Sequence, residues 1–213
     1  MGVQDVKSRA FSEMLKVAKQ RLSDKQAEEI VVNTKIEFDT EKSEFLLSSL
    51  GQDIRISYPG YDITPELNEW HHLTILHYLD MADGTEISSR LIPFDELSHG
   101  LIRGGGFDRQ SERTISQTLA NQSPHQLQEA CEKLGAKIIS SNADLCAVFP
   151  FLPLYPVTLK IWFADEDIAG TGRMFLDGNA DHYLSVEDAV TVGTLILERV
   201  SFGLTEKKPL NQI

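Results

Sequence analysis

Between Pro65 and Ala82 the apolar residues Leu67, Trp70, Leu73, Ile75, Leu76, Tyr78, Leu79 and Met81 fall on nearly every side of a helix. A helix without a polar face has to be buried. The chain must therefore wrap other elements around residues 65–82. Thr64-Pro65 supplies a cap and a proline for the first helical position, and Asp83-Gly84 supplies the stop. With 213 residues, the chain is long enough to build that wrapping without disulfides or metal.

The flanking pattern says what does the wrapping. Val3, Val6, Ala10, Met14, Val17 and Ala18 recur at helical spacing. Ser23-Asp24-Lys25-Gln26 reads as a capping box for a second helix ending near Thr34. The period then changes to two. Ile36 and Phe38, Phe45 to Leu50, and Ile54, Ile56 and Tyr58 form a meander of three short strands closed by Pro59-Gly60. After the central helix, residues 85–106 read as loop, with a helical turn at Phe94–Ser98. A helix is expected from Arg109 to Ala120. Ser123-Pro124 caps another, with Leu127, Ala130, Cys131 and Leu134 as its apolar stripe. Ile138-Ile139 and Leu145–Phe149 read as a hairpin. Val157, Leu159, Ile161 and Phe163 alternate strictly, Met174–Leu176 is a further strand, and Ser185–Asp188 opens the last helix. Strands come in runs, not in alternation with helices. The expected class is α+β, a mainly antiparallel sheet with a buried central helix and flanking helices. No repeat or linker interrupts the chain. One domain over 1–204 with a loose tail at 205–213 is expected, and the glycines at 104–106 offer the one seam.

Thirty-two acidic residues against twenty basic ones give a net charge of −12. The basic residues are scattered, so neither nucleic acid nor an anionic membrane is an expected partner. The longest uncharged apolar stretch, Leu145 to Leu159, contains Pro150, Pro153 and Pro156 and is no membrane helix. The opening Met1–Val6 carries an early acid and no apolar run, which predicts no secretory leader. Cys131 and Cys146 are the two cysteines, too few for a disulfide framework or a four-thiolate site. Both sit in apolar surroundings, as in a reducing cytoplasm.

Several residues could carry chemistry. His71, His72 and His77 lie on the central helix at spacings of one, five and six, and His72 and His77 diverge by about 140°. A chelate from these alone does not form, whereas axial ligation of a tetrapyrrole needs one imidazole. The plain alternative for His77 is a half-buried ring bonded to Asp80 or Thr74. Asp177, Asn179, Asp181, Ser185 and Asp188 place oxygens at positions 1, 3, 5, 9 and 12 of a twelve-residue loop, as calcium needs. His182 stands where that loop requires glycine, and turn and cap chemistry explain the same residues. Asp165, with Glu166 and Asp167, could join Asp177 and Asp181 around a divalent cation or in acid–base work, or could simply be solvated. Arg103-Gly104-Gly105-Gly106 could present backbone N–H groups to an anion as a mobile lid, without the spacing of a P-loop. Burial keeps both thiols inert, and no nucleophile elbow is present.

Two stretches carry a family likeness. One runs from Leu76-His77-Tyr78-Leu79-Asp80-Met81-Ala82-Asp83-Gly84-Thr85 through Ile92-Pro93-Phe94-Asp95-Glu96-Leu97 to the glycines. The other joins Phe151-Leu152-Pro153-Leu154, Leu159–Glu166, Phe175-Leu176-Asp177 and Tyr183–Asp188. Their order and spacing, over about residues 25–200, resemble the bacterial and archaeal family called domain of unknown function 3786. That family has no assigned activity or catalytic residues. Its resemblance implies a setting: anaerobes, and relatives carrying an added iron–sulfur segment of a type seen in corrinoid proteins. This chain lacks the four cysteines, so a cluster would come from an iron–sulfur or corrinoid protein partner. The expected function is a cytoplasmic ligand- or cofactor-binding accessory protein, with a corrinoid or other tetrapyrrole bound by His77, Arg103, Gly104 and Gly105. The alternatives are a metal-assisted hydrolase using Asp165, Asp177 and Asp181, or an interaction module. The catalytic residues, if any, are left unassigned.

Overall fold

The computed structural model describes residues 3–205. Helix α1 (Val3–Leu22) and α2 (Ala27–Thr34) precede a four-stranded antiparallel sheet of β1 (Glu37–Asp39), β2 (Glu44–Ser49), β3 (Gln52–Ser57) and β4 (Ile63–Thr64), in that spatial order. Central helix α3 (Glu69–Met81) follows. The chain then makes β5 (Leu91–Ile92), a 3₁₀ turn at Phe94–Glu96, α4 (Gly100–Thr114) with a widened final turn to Leu119, and α5 (Pro124–Lys133). Strands β6 (Lys137–Ile138), β7 (Leu145–Leu152), β8 (Tyr155–Trp162) and β9 (Thr171–Asp177) complete a second antiparallel sheet, ordered β5-β9-β8-β7-β6. Helix α6 (Val186–Thr205) ends the described chain. The α+β class, the meander and the hairpins follow the two-residue period of the sequence. The loose tail expected at 205–213 lies outside the described residues beyond Thr205.

Helix α3 is buried through His71, Leu73, Thr74, Ile75, Leu76, Tyr78 and Leu79, and it packs against α1, α2 and α6. It is not apolar all round in its contacts, because Trp70 and Met81 reach solvent. Tyr78 fixes its depth. The Tyr78 hydroxyl donates to the carbonyl of Thr34 and accepts from the N–H of Leu154, which ties α3 to the end of α2 and to the β7–β8 turn. The segment Phe149–Trp162 is core along most of its length, since Phe149, Phe151, Leu152, Val157, Leu159 and Ile161 are buried. The buried residues of both sheets belong to one continuous apolar cluster.

Three expected starts are corrected. Helix α3 begins at Glu69, not Pro65, because Thr64 pairs with Arg55 in the sheet and stays extended. Its cap is Asn68, whose side-chain carbonyl accepts the N–H of Trp70. Helix α2 begins after Gln26 with no side-chain cap, and the Ser23 hydroxyl instead donates back to the carbonyl of Gln20. The residues around 104–106 are neither loop nor seam: they lie inside α4, which starts nine residues earlier than the periodicity suggests. A Cβ on Gly104 would stand 2.1 Å from the carbonyl oxygen of Phe94, and one on Gly100 would stand 2.5 Å from the same atom. These glycines let α4 press on the backbone of the 3₁₀ turn. Buried Asp108, one turn further along, accepts the N–H groups of Phe94 and Asp95 and locks that contact.

Candidate functional site

Helix α6 lies between α3 and α4, and a cleft opens on each side of it. The cleft towards α3 holds about 490 Å³ and is lined by Met14, Trp70, Leu73, His77, Asp188 and Leu195, among others. The groove towards α4 holds about 1060 Å³ and is walled by Ile102, Phe107, Val190, Leu197 and Phe202. Both volumes lie in the range of small-molecule and cofactor sites. Arg103, Glu187, Val190, Thr194 and Glu198 line both, so the two clefts share a wall. A close approach fixes the spacing of the helices. A Cβ on Gly193 of α6 would stand 2.4 Å from the ring of Phe107 on α4.

His77 has a partner the sequence did not suggest. Its Nδ1 lies 2.7 Å from Oδ1 of Asp188, at the start of α6, and not against Asp80 or Thr74. The other oxygen of Asp188 accepts the hydroxyl of Ser185 at 2.6 Å, while the N–H of Asp188 donates back to that hydroxyl oxygen. An ionised carboxylate only accepts, so a proton sits on Nδ1, and in the neutral tautomer of the ring the lone pair is on Nε2. Nε2 has no hydrogen bond to a described residue and is not buried; the ring is about a quarter exposed. Serine, carboxylate and imidazole thus form a relay whose imidazole lines the cleft, with Nε2 unpaired among the described residues. A carboxylate behind the far nitrogen orients a ligating histidine and raises its basicity.

The other histidines are differently placed. His71 is fully buried, with Nε2 2.9 Å from the hydroxyl of Ser49 and its ring against Phe151. Burial lowers its pKa to about 4, with Arg199 and His72 adding to the effect. Burial likewise lowers that of His72. His182 pairs with Asp83 at 2.7 Å, which holds the Asp83 carboxyl down to about 2, but that pair lines neither cleft. Cys131 and Cys146 are both free and buried, and desolvation pushes the Cys131 thiol up to about 12.

The structure brings together His77 and Arg103, which line the cleft beside α3. It does not bring Gly104 and Gly105 there. Both are buried inside α4, where their N–H groups serve the helix, so the lid expected at Arg103 to Gly106 is replaced by a turn of helix. The three aspartates expected at a metal are dispersed. Asp165 accepts the N–H groups of Asp167 and Ile168 in its own turn. Asp177, buried at the end of β9, accepts the N–H and hydroxyl of Ser88 and the N–H of Asn179. Asp181 accepts the N–H and hydroxyl of Ser98. Among the described residues no group of three or more His, Cys, Asp and Glu is placed to hold a metal ion. The spacing that resembled a calcium loop belongs to turn, pin and cap chemistry.

Glu187 is the functional candidate that sequence reasoning passed over, together with the link of Ser185 and Asp188 to His77. Ser185 and Asp188 were visible as calcium-loop oxygens or as a cap, and the cap forms. The ion pair of Arg103 with Glu187, at 2.8 Å, spans 84 residues and leaves no local signal.

The profile of the family described as Domain of unknown function (DUF3786) matches residues 26–199, and the chain belongs to that family. No curated protein and no solved structure matches the chain. Among the described residues no helix is long and apolar enough to cross a membrane.

Proposed function

We propose that this member of the DUF3786 family is a cytoplasmic ligand-binding accessory protein whose site is the cleft between α3 and α6. The observation that carries the reading is the relay Ser185–Asp188–His77, ending in an accessible Nε2. A single oriented imidazole beside a partly apolar cleft would hold the metal of a cofactor, and a corrinoid or other tetrapyrrole is the class. The residues fit such a group. Trp70, Leu73 and Leu195 offer apolar wall, and Arg103 offers a cation for ring-edge carboxylates.

Bound there, a tetrapyrrole would supply a redox-active metal. His77 would donate Nε2, Asp188 would hold the Nδ1 proton, and Ser185 would hold Asp188. Trp70 and Leu73 would keep water from one side. The chain's two cysteines cannot build a four-thiolate cluster, so redox chemistry beside this site would use an iron–sulfur or corrinoid protein as partner. The dispersal of Asp165, Asp177 and Asp181 gives the hydrolase alternative no comparable support.

The test is an absorbance titration of the whole chain with iron protoporphyrin and with cobinamide. A saturable one-to-one spectrum with imidazole-ligated bands, lost in His77→Ala with the fold intact by circular dichroism, is expected. The same bands in His77→Ala, or no binding of either probe, would overturn the reading.

A further inference from the structure

The wall between the two clefts bears on what kind of molecule fills them. Arg103 uses Nε to reach Oε2 of Glu187, and this is its one hydrogen bond to a described residue. The two terminal nitrogens of its guanidinium are left for another acceptor. The side chains are 56% and 66% exposed, so the pair is a surface ion pair screened by water. A carboxylate arriving with an apolar body offers Arg103 more. It can bind the two-pronged face of the guanidinium, and the body it brings shields the pair from water.

The α4 side of the wall is built for such a body. Ile102, Phe107, Val190, Leu197 and Phe202 give it apolar surface, and Ile102 is 85% exposed. Gly106 leaves the space over α4 open, since a Cβ there would meet nothing within 4 Å. Glu187 and Glu198, the acids on the shared wall, disfavour a polyphosphate.

Resting on the cleft reading above, we infer that the ligand is an apolar-bodied carboxylate spanning both clefts. Its carboxylate takes the place of Glu187 on Arg103, and its body extends into the α4–α6 groove. Glu187 is then a built-in competitor, and Arg103 a specificity-determining residue.

The experiment compares zinc protoporphyrin IX with its dimethyl ester by fluorescence titration of the whole chain. The variants are Arg103→Gln, Glu187→Gln and Gly106→Leu. Position 106 lines the groove and has room for a Cβ, so leucine there is placed to fill it. Expected is about tenfold weaker binding of the diacid in Arg103→Gln, the loss of one charged hydrogen-bonded contact. Glu187→Gln should bind the diacid several-fold tighter. Both differences should vanish with the ester, and Gly106→Leu should weaken acid and ester alike. Equal binding of acid and ester in all variants, with dependence on His77 retained, would overturn the carboxylate inference and leave the cleft reading standing. Failure of both probes to bind wild type would remove the cleft reading and this inference together.

Discussion

His71 and His77 sit on one helix, six residues and about 120° apart, and each is fixed by an oxygen from another element. Their surroundings give them opposite uses. His71 bonds Ser49 of β2, packs on Phe151 of β7 and is held neutral by burial. Its Nδ1 is buried without a partner among the described residues, which is tolerable if the proton sits on Nε2 and the orphan is an acceptor. His77 faces α6, is held by a carboxylate and lines a cleft, with Nε2 unpaired among the described residues. The residue type is the same, and what differs is which nitrogen is spent on the fold. A histidine becomes a candidate donor when the fold uses one nitrogen and leaves the other reachable.

Substitution should separate the two most strongly. His71→Ala opens a cavity in the core and leaves Ser49 without its partner, and should cost about 3 kcal/mol in denaturant unfolding. His77→Ala should cost under about 1 kcal/mol while abolishing cofactor bands. Equal losses of stability would erase the contrast.

Acid should act on the buried ring. Below pH 6.5 the unfolded His71 takes up a proton that the folded ring refuses until about pH 4. Its contribution is therefore complete above pH 6.5 and is lost as pH falls through about 4, on the order of 3 kcal/mol. Thermal melts from pH 7 to 4 should show a decline that is shallower in His71→Gln than in wild type. Parallel declines would show that other groups carry it.

Asp188→Asn sharpens the cleft side. It should leave the fold nearly unchanged and weaken binding of iron protoporphyrin by about 10- to 100-fold, the usual consequence of losing the group behind a ligating histidine. Unchanged affinity would make the relay a structural cap alone. The smallest expected effect is at Gly106. Gly106→Ala should stabilise α4 by up to about 1 kcal/mol in thermal unfolding, because the site is open and helical. A loss of stability would mean that the groove floor is not free.

The sheets were legible because period-two alternation is local, as at Val157, Leu159 and Ile161. The central helix was legible from its apolar residues, but its start was not, since Thr64 joins a strand whose partner Arg55 lies nine residues back. The glycines at 104–106 misled for a physical reason. Glycine serves both freedom and close approach, and only the position of Phe94 decides between them. His77 and Arg103 could be singled out by type, yet their partners Asp188 and Glu187 lie 111 and 84 residues away. The aspartates resembled a metal loop because turns, caps and cation sites all draw on short acids. What separates them is whether the oxygens converge, and here they point to Ser88, Ser98 and local N–H groups.

The most direct measurement is native mass spectrometry with an absorbance spectrum on the whole chain, purified without oxygen and then offered iron protoporphyrin and cobinamide. The expected result is a stoichiometric mass excess with visible bands that shift or vanish in His77→Ala. A clean apo mass after addition of both probes, or bands indifferent to His77, would contradict a cofactor site at the cleft.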